Sequence, residues 1–165
     1  MSKTAGDYQE TSISFCPEKL DHKDFLLQLF KECRPDLAFI DGINEKQKDA
    51  IIFQQFTIGQ EQLHKMYPDA EFNIVMLNEE TIGRFYVYYG KESDHIIEIG
   101  LLESYRGLGI GKKIMNKAIK NAVEKKKTVS LQVAWFNRNA YLFYEKLGFN
   151  LIEDKIIFQK MEYTS

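Results

Sequence analysis

Apolar and polar positions along the chain alternate between a period near two and a period near 3.6, and the changes of period divide it into elements. Ser12 to Cys16 reads as a first strand. A helix is predicted from about His22 to Cys33, with Asp21 as its N-cap and Pro35 closing it. Ile52, Phe56, Leu63 and Tyr67 recur at near-helical spacing and predict a second helical region from about Glu45 to Tyr67. Gly59 marks a point where that helix can break, and Pro68 ends it. Phe72 to Leu77 and Thr81 to Tyr89 form a hairpin around Asn78-Glu79-Glu80, with a bulge or close packing at Gly83. His95 to Leu102 is almost wholly apolar, the signature of a strand covered on both faces, and Glu98 interrupts it.

The next helix runs from Ile110 to about Lys125 and buries Ile110, Ile114, Ala118, Ile119 and Ala122, leaving its lysines in water. Thr128 to Val133 is a strand. Asn139 to Leu147 is a short helix, capped by Asn139 and stopped at Gly148. Phe149 to Ile152 and Lys155 to Met161 pair around a turn at Glu153-Asp154. With no internal repeat, low-complexity stretch or linker, residues 1–165 are expected to form a single α+β domain, a mixed and mostly antiparallel sheet flanked by helices.

Between the apolar central strand and the long helix stands Arg106-Gly-Leu-Gly-Ile-Gly111. Glycines let several N–H groups face one anion without Cβ obstruction, and a following helix adds its unpaired N–H groups and the positive end of its dipole. A strand, a glycine-rich turn and a helix in that order describe a pyrophosphate cradle. A P-loop would need glycine at 106 and a hydroxyl at 113, where the chain has Arg106 and Lys113. A dinucleotide fingerprint starting at Gly107 or Gly109 would need its last glycine at Lys112 or Ile114. The spacing that fits is R-x-x-G-x-G, from Arg106, Gly109 and Gly111.

A second spacing follows the next strand: Asn137, Ala140, Tyr144 and Gly148-Phe149, or N-x-x-A-x-x-x-Y-x-x-x-G-F. With both spacings in this order, the chain from about Phe72 to Met161 resembles the GNAT family of acyl-CoA-dependent N-acyltransferases. The resemblance implies a GNAT fold, with a mixed, mostly antiparallel sheet and about four helices, and acetyl-CoA as acyl donor. It implies that the central strand and the next parallel strand splay apart. Backbone groups of Ile99, Leu101 and Leu102 would then pair with the pantetheine arm, and N–H groups of Arg106, Gly107, Leu108, Gly109, Ile110, Gly111 and Lys112 would hold the pyrophosphate. The Arg106 side chain is open to a second role, shaping the loop.

The reaction so implied is direct attack of a primary amine on the thioester in a ternary complex. The amine arrives mostly as ammonium and must lose a proton, and the departing thiolate leaves more easily if protonated. Tyr144 stands where the family commonly places that acid; its alternative is a packed aromatic on the inner face of a short helix. Glu98, a carboxylate in a strand built for burial, is a candidate for base or substrate contact. His95 lies closer to the usual glutamate position and is the other candidate base, or a residue of the preceding turn. Asn137 is expected to contact the CoA arm or to fix the strand-to-helix turn. Trp135 and Phe136 either line the acceptor side or cover a core edge. A non-catalytic acyl-CoA sensor on the same fold is the competing function.

Composition narrows the partners. The net charge of −2 argues against a nucleic-acid binder that relies on bulk charge. No run approaches the length of a membrane span, and the polar stretch from Met1 to Glu10 predicts no secretory leader. Cys16 and Cys33 are the only cysteines and form no metal spacing, which suits a reduced, cytoplasmic protein. His22, His64 and His95 are far apart in sequence, so no metal is expected. The acceptor amine is not legible, and a homodimer through helix or sheet-edge contacts is compatible with the sequence.

Overall fold

The computed structural model describes residues 13–165. Seven strands form one sheet in the order β1-β2-β3-β4-β5-β7-β6. They are β1 (Ile13–Pro17), β2 (Glu71–Leu77), β3 (Glu80–Tyr89), β4 (Ser93–Leu101), β5 (Thr128–Ala134), β6 (Asn150–Asp154) and β7 (Phe158–Tyr163). All pairings are antiparallel except β4 with β5. The helices are α1 (Lys23–Cys33), α2 (Glu45–Met66), α3 (Ile110–Glu124) and α4 (Arg138–Lys146). The mixed, mostly antiparallel sheet with four helices is the expected architecture; Ser12, placed in the first strand by sequence, lies outside the described residues.

Two apolar clusters hold the layers together. Leu26 and Leu29 of α1 and Phe56 of α2 pack on Ile74 of β2. On the other face, α3 buries Ile110, Ile114, Met115, Ile119 and Ala122 against Val75, Phe85, Val87, Ile96 and Leu131, and residues of α4 pack against the same cluster. Each large side chain of that stripe contributes about 1.5–3 kcal/mol by leaving water. Met115 takes the deep place expected of Ala118, which is only partly buried.

Several local expectations change. Asp21 lies inside a 3₁₀ turn, Leu20–His22, and His22 precedes α1 without a side-chain cap bond. Gly59 does not break α2, which runs unbroken for 22 residues from a reciprocal cap in which Asn44 accepts from Gln47 N–H and Gln47 accepts from Asn44 N–H. The β2–β3 turn contracts to Asn78 and Glu79, both left-handed at φ 50° and 70°, as the twist of a two-residue hairpin demands. Gly83 shows close packing and adjoins a bulge: a Cβ there would lie 2.3 Å from the Gly100 carbonyl oxygen. The last turn moves from Glu153-Asp154 to residues 155–157, where the Asp154 carboxylate accepts from Ile156 N–H at 3.0 Å.

Candidate active site

An opening forms where the two parallel strands part. β4 and β5 pair only from Ser93 with Thr128 to Ile96 with Leu131. Beyond that point β4 stays on β3 and β5 stays on β7. A bulge drives the divergence: Tyr86 pairs with Glu98 but Val87 pairs with Ile96, so Ile97 is an extra residue on β4. Leu102 N–H donates to Ile82 C=O at 2.8 Å and sets the phase of the ladder. Amides alternate in direction along a strand, so Ile99 and Leu101 turn theirs toward the open side while Leu102 N–H is spent on β3.

The glycine turn closes one end of this opening. A 3₁₀ turn, Glu103–Tyr105, leads into it, and Arg106 N–H donates to Glu103 C=O at 3.1 Å. Gly107 and Gly109 are left-handed at φ 74° and 83°, which side-chain-bearing residues resist. A Cβ on either would meet nothing within 4 Å, so the space before them is open. The first backbone bond of α3 runs from Lys113 N–H to Gly109 C=O at 3.1 Å. Among the described residues, the N–H groups of Gly107, Leu108, Gly109, Ile110, Gly111 and Lys112 donate to no backbone carbonyl. They lie at and just before the helix N-terminus, where unpaired donors and the helix dipole favour an anion. Gly111 is helical, and a Cβ there would make ordinary contact with Phe143 Cζ at 3.8 Å and Leu101 Cδ1 at 3.9 Å.

The Arg106 side chain turns away from these donors. Its Nε donates to Leu101 C=O at 2.9 Å and its Nη2 to Glu32 C=O at 3.0 Å, while Glu32 Oε1 accepts from Glu103 N–H at 2.7 Å. Arg106 thus ties the turn to the end of β4 and to the last turn of α1.

The Glu98 charge is felt at the Tyr144 hydroxyl. The Tyr144 ring packs edge-on against Phe143 and Phe149, with centroids 5.3 and 5.8 Å away. Burial, and then the Glu98 charge, push its hydroxyl well above the ordinary tyrosine range. Tyr144 therefore carries its proton at neutral pH and can only donate there. Glu98 is 43% exposed at its side chain, and its Oε2 lies 3.6 Å from Arg84 Nη2. His95 sits instead in the closed, paired part of β4, with Nδ1 3.0 Å from Ser130 Oγ and its ring stacked 5.8 Å from Tyr67. Burial, and then Lys160, hold its pKa below the usual histidine value. Trp135 and Phe136 are 65% and 49% exposed and do not cover a core edge; Trp135 N–H donates to Ile157 C=O at 2.9 Å, beside the exposed β6–β7 turn.

Asn137 caps α4: its Oδ1 accepts from Ala140 N–H at 3.2 Å, the role expected of Asn139. Asn137→Ala is expected to cost about 1 kcal/mol of folding stability in urea denaturation, and Asn139→Ala much less. Among the described residues, no group of three or more His, Cys, Asp and Glu side chains is placed to hold a metal, and no helix is long and apolar enough to cross a membrane. The residues missed from sequence are Arg84, Tyr86, Gln60 and Glu18, which stand behind Glu98. Arg84 left one signal: like Glu98, it is a charge inside an otherwise apolar strand.

The acetyltransferase (GNAT) family model matches residues 24–149, well over half of the chain. The chain belongs to that family. It is 29% identical over 105 residues to a mycothiol acetyltransferase of Corynebacterium glutamicum, covering 62% of this chain and 36% of that protein. It is 42% identical over 64 residues to N-alpha-acetyltransferase 50 of Danio rerio, covering 37% of this chain and 38% of the relative. The chain thus spans little more than a third of the length of these relatives. Its fold superposes on the PaiA N-acetyltransferase of Thermoplasma acidophilum, solved in complex with coenzyme A, with a TM-score of 0.68, 19% identity and coverage of 93% of this chain and 99% of that one.

Proposed function

We propose that this chain, as one domain, transfers an acetyl group from acetyl-CoA to a primary amine of a small molecule or protein. The observation that carries the reading is the parting of β4 from β5 after four residue pairs, with free amide edges at Ile99 and Leu101 leading to the donors of residues 107–112. Acetyl-CoA is a substrate here. Its pantetheine arm fits the open β4 edge as an added strand, and its pyrophosphate fits the N–H groups at the start of α3. Arg106 serves by anchoring that turn.

The chemistry follows from the two walls. The amine nitrogen forms a bond to the thioester carbonyl carbon, and the carbon–sulfur bond breaks. Tyr144 donates to the departing sulfur, and the amine's proton passes to Glu98, directly or through water. His95 is less well placed for that role, being in the zipped part of the strand. The curated relatives bear names of acetyltransferases acting on different acceptors, mycothiol-related and N-alpha, so the acceptor class is open between small molecules and polypeptide N-termini. Free Cys16 and Cys33 agree with a cytoplasmic setting.

Thiol release from acetyl-CoA, measured over a panel of amines and peptides, tests the reading. Binding of acetyl-CoA without thiol release for any acceptor would favour the sensor. Cys33 lies beside Gly100 and Arg106, but burial pushes its thiol up and so disfavours the nucleophilic thiolate, and kinetics are expected to be sequential. Intersecting double-reciprocal lines are the expected result, and parallel lines or an isolable acetyl-enzyme would contradict it.

A further inference from the structure

Behind Glu98 a chain of polar side chains crosses the sheet face covered by α1 and α2. Arg84 lies on β3 opposite Gly100, which has no side chain to intervene, and next to the Tyr86–Glu98 pair. Its side chain is only 10% exposed, and its Nη2 reaches Glu98 Oε2 at 3.6 Å. Nη1 donates to Gln60 Oε1 at 3.1 Å, and the guanidinium lies over the Tyr86 ring, 5.1 Å from its centroid. Gln60 Nε2 donates in turn to Glu18 Oε1 at 3.3 Å, and the Tyr86 hydroxyl donates to the same oxygen. His64 Nε2 stands 3.0 Å from Glu18 Oε2 at the solvent end. Side chains from α2, from β3 and from the residue after β1 therefore hold one guanidinium in place.

Such an arrangement is expensive as packing. A pair whose carboxylate is 43% exposed adds little stability, so a buried arginine with dedicated supports is better explained by use of its charge. Here the charge is delivered to Glu98, on β4 beyond the point where that strand parts from β5. We propose that Arg84 is a positioning residue. Held by Gln60 and by the face of Tyr86, it fixes the Glu98 carboxylate on the acceptor side, where Glu98 receives the proton of the attacking amine. Glu18 is the outer anchor, acting on Gln60 and Tyr86 together. The proposal rests on the acetyltransferase reading above and names a residue that touches neither substrate. Arg84 suits the task because its planar fork can satisfy Gln60 and Glu98 from different nitrogens without being re-ordered at each turnover.

The test compares Arg84→Met, Arg84→Lys, Glu98→Gln and the double variant Arg84→Met/Glu98→Gln. Thiol release is followed with an acceptor found in the panel, and acetyl-CoA affinity by calorimetry. Arg84→Met is expected to lower kcat by about 10- to 100-fold, the scale of a misplaced reacting group, with acetyl-CoA affinity within about twofold. Arg84→Lys should recover part of the loss, since one cationic nitrogen can still reach Glu98. If Arg84 acts through Glu98, the double variant loses no more than Glu98→Gln alone, within about twofold. Multiplicative losses in the double variant, or acetyl-CoA affinity falling in step with kcat, would show a general structural role and overturn the proposal. Should Arg84→Met fail to fold, Gln60→Leu removes the guanidinium's support from α2 and must show the same coupling to Glu98→Gln, at smaller amplitude. A wild-type protein that binds acetyl-CoA but releases thiol with no acceptor fails differently: the enzyme reading falls first, and this proposal with it.

Discussion

Gly109→Val is expected to abolish acetyl-CoA binding in a protein that still folds. Two effects converge at this position. Gly109 is the N-cap of α3 at φ 83°, a left-handed conformation that is a genuine outlier for a β-branched residue. Forcing it costs on the order of 1–2 kcal/mol, or re-aims the first N–H groups of the helix. The space before Gly109 is open, a Cβ there meeting no protein atom within 4 Å, and the proposed anion would approach those donors through it. A loss of at least about 100-fold in affinity, near 2.7 kcal/mol, is expected by calorimetry, with circular dichroism confirming helix content. Gly111→Val is the informative companion. Its backbone is helical, so no turn strain is added there, and valine's methyls press instead on Phe143 and Leu101, whose atoms lie 3.8 and 3.9 Å from the added Cβ. Unchanged affinity in both variants would remove the phosphate cradle from this turn.

The glycine turn and the order of elements were readable because both are written in local chemistry. Glycines at 107 and 109 are required where φ is positive, and the run from His95 to Leu102 is apolar because helices cover both of its faces. Where local rules compete, the outcome depends on tertiary context. Asn137 and Asn139 are equally good caps by residue type, and in the fold α4 starts at Arg138, which makes Asn137 the cap. Gly59 carries a cost of about 1 kcal/mol in a helix interior, yet α2 absorbs it, with a strong cap at Asn44 and apolar anchors at Ile52 and Phe56. Glu153 and Asp154 look like turn residues, but on the fully exposed edge strand β6 polar residues are equally at home.

The support behind Glu98 was hidden for a different reason. The β3–β4 pairing brings Arg84 to Glu98, while Gln60 and Glu18 lie far away in the chain and join them only once α2 and the end of β1 are in place. No periodicity links them. The one visible mark was a charge in each of two apolar strands, and Arg84 and Glu98 prove to be partners across the sheet, the guanidinium buried and the carboxylate 43% exposed. Arg106 shows the converse. Its place in the glycine spacing suggested the ligand, but its side chain is consumed by Leu101 and Glu32, holding the turn in shape.

Tyr144→Phe is expected to lower kcat by about 10²-fold while acetyl-CoA affinity stays within a few-fold, the scale for loss of one general acid. The ring remains between Phe143 and Phe149, so packing survives and only the hydroxyl is lost. The pH dependence distinguishes a donor from a base. Burial and the Glu98 charge raise the folded pKa of Tyr144, so its proton is held at neutral pH and any stability linked to it is complete below the ordinary tyrosine value of about 10. That stability is lost only as pH climbs from there through the raised folded value. Between about pH 6 and pH 9 the hydroxyl does not titrate, so Tyr144→Phe should depress the rate by a constant factor without changing the shape of the profile. Glu98→Gln, by contrast, should alter the shape of the kcat/KM profile, because it removes the group proposed to receive the amine's proton. A Tyr144→Phe variant that turns over at the wild-type rate, with chemistry shown to be limiting, would leave Tyr144 as a core aromatic whose hydroxyl merely borders the opening, and would shift the protonation of the leaving sulfur to solvent.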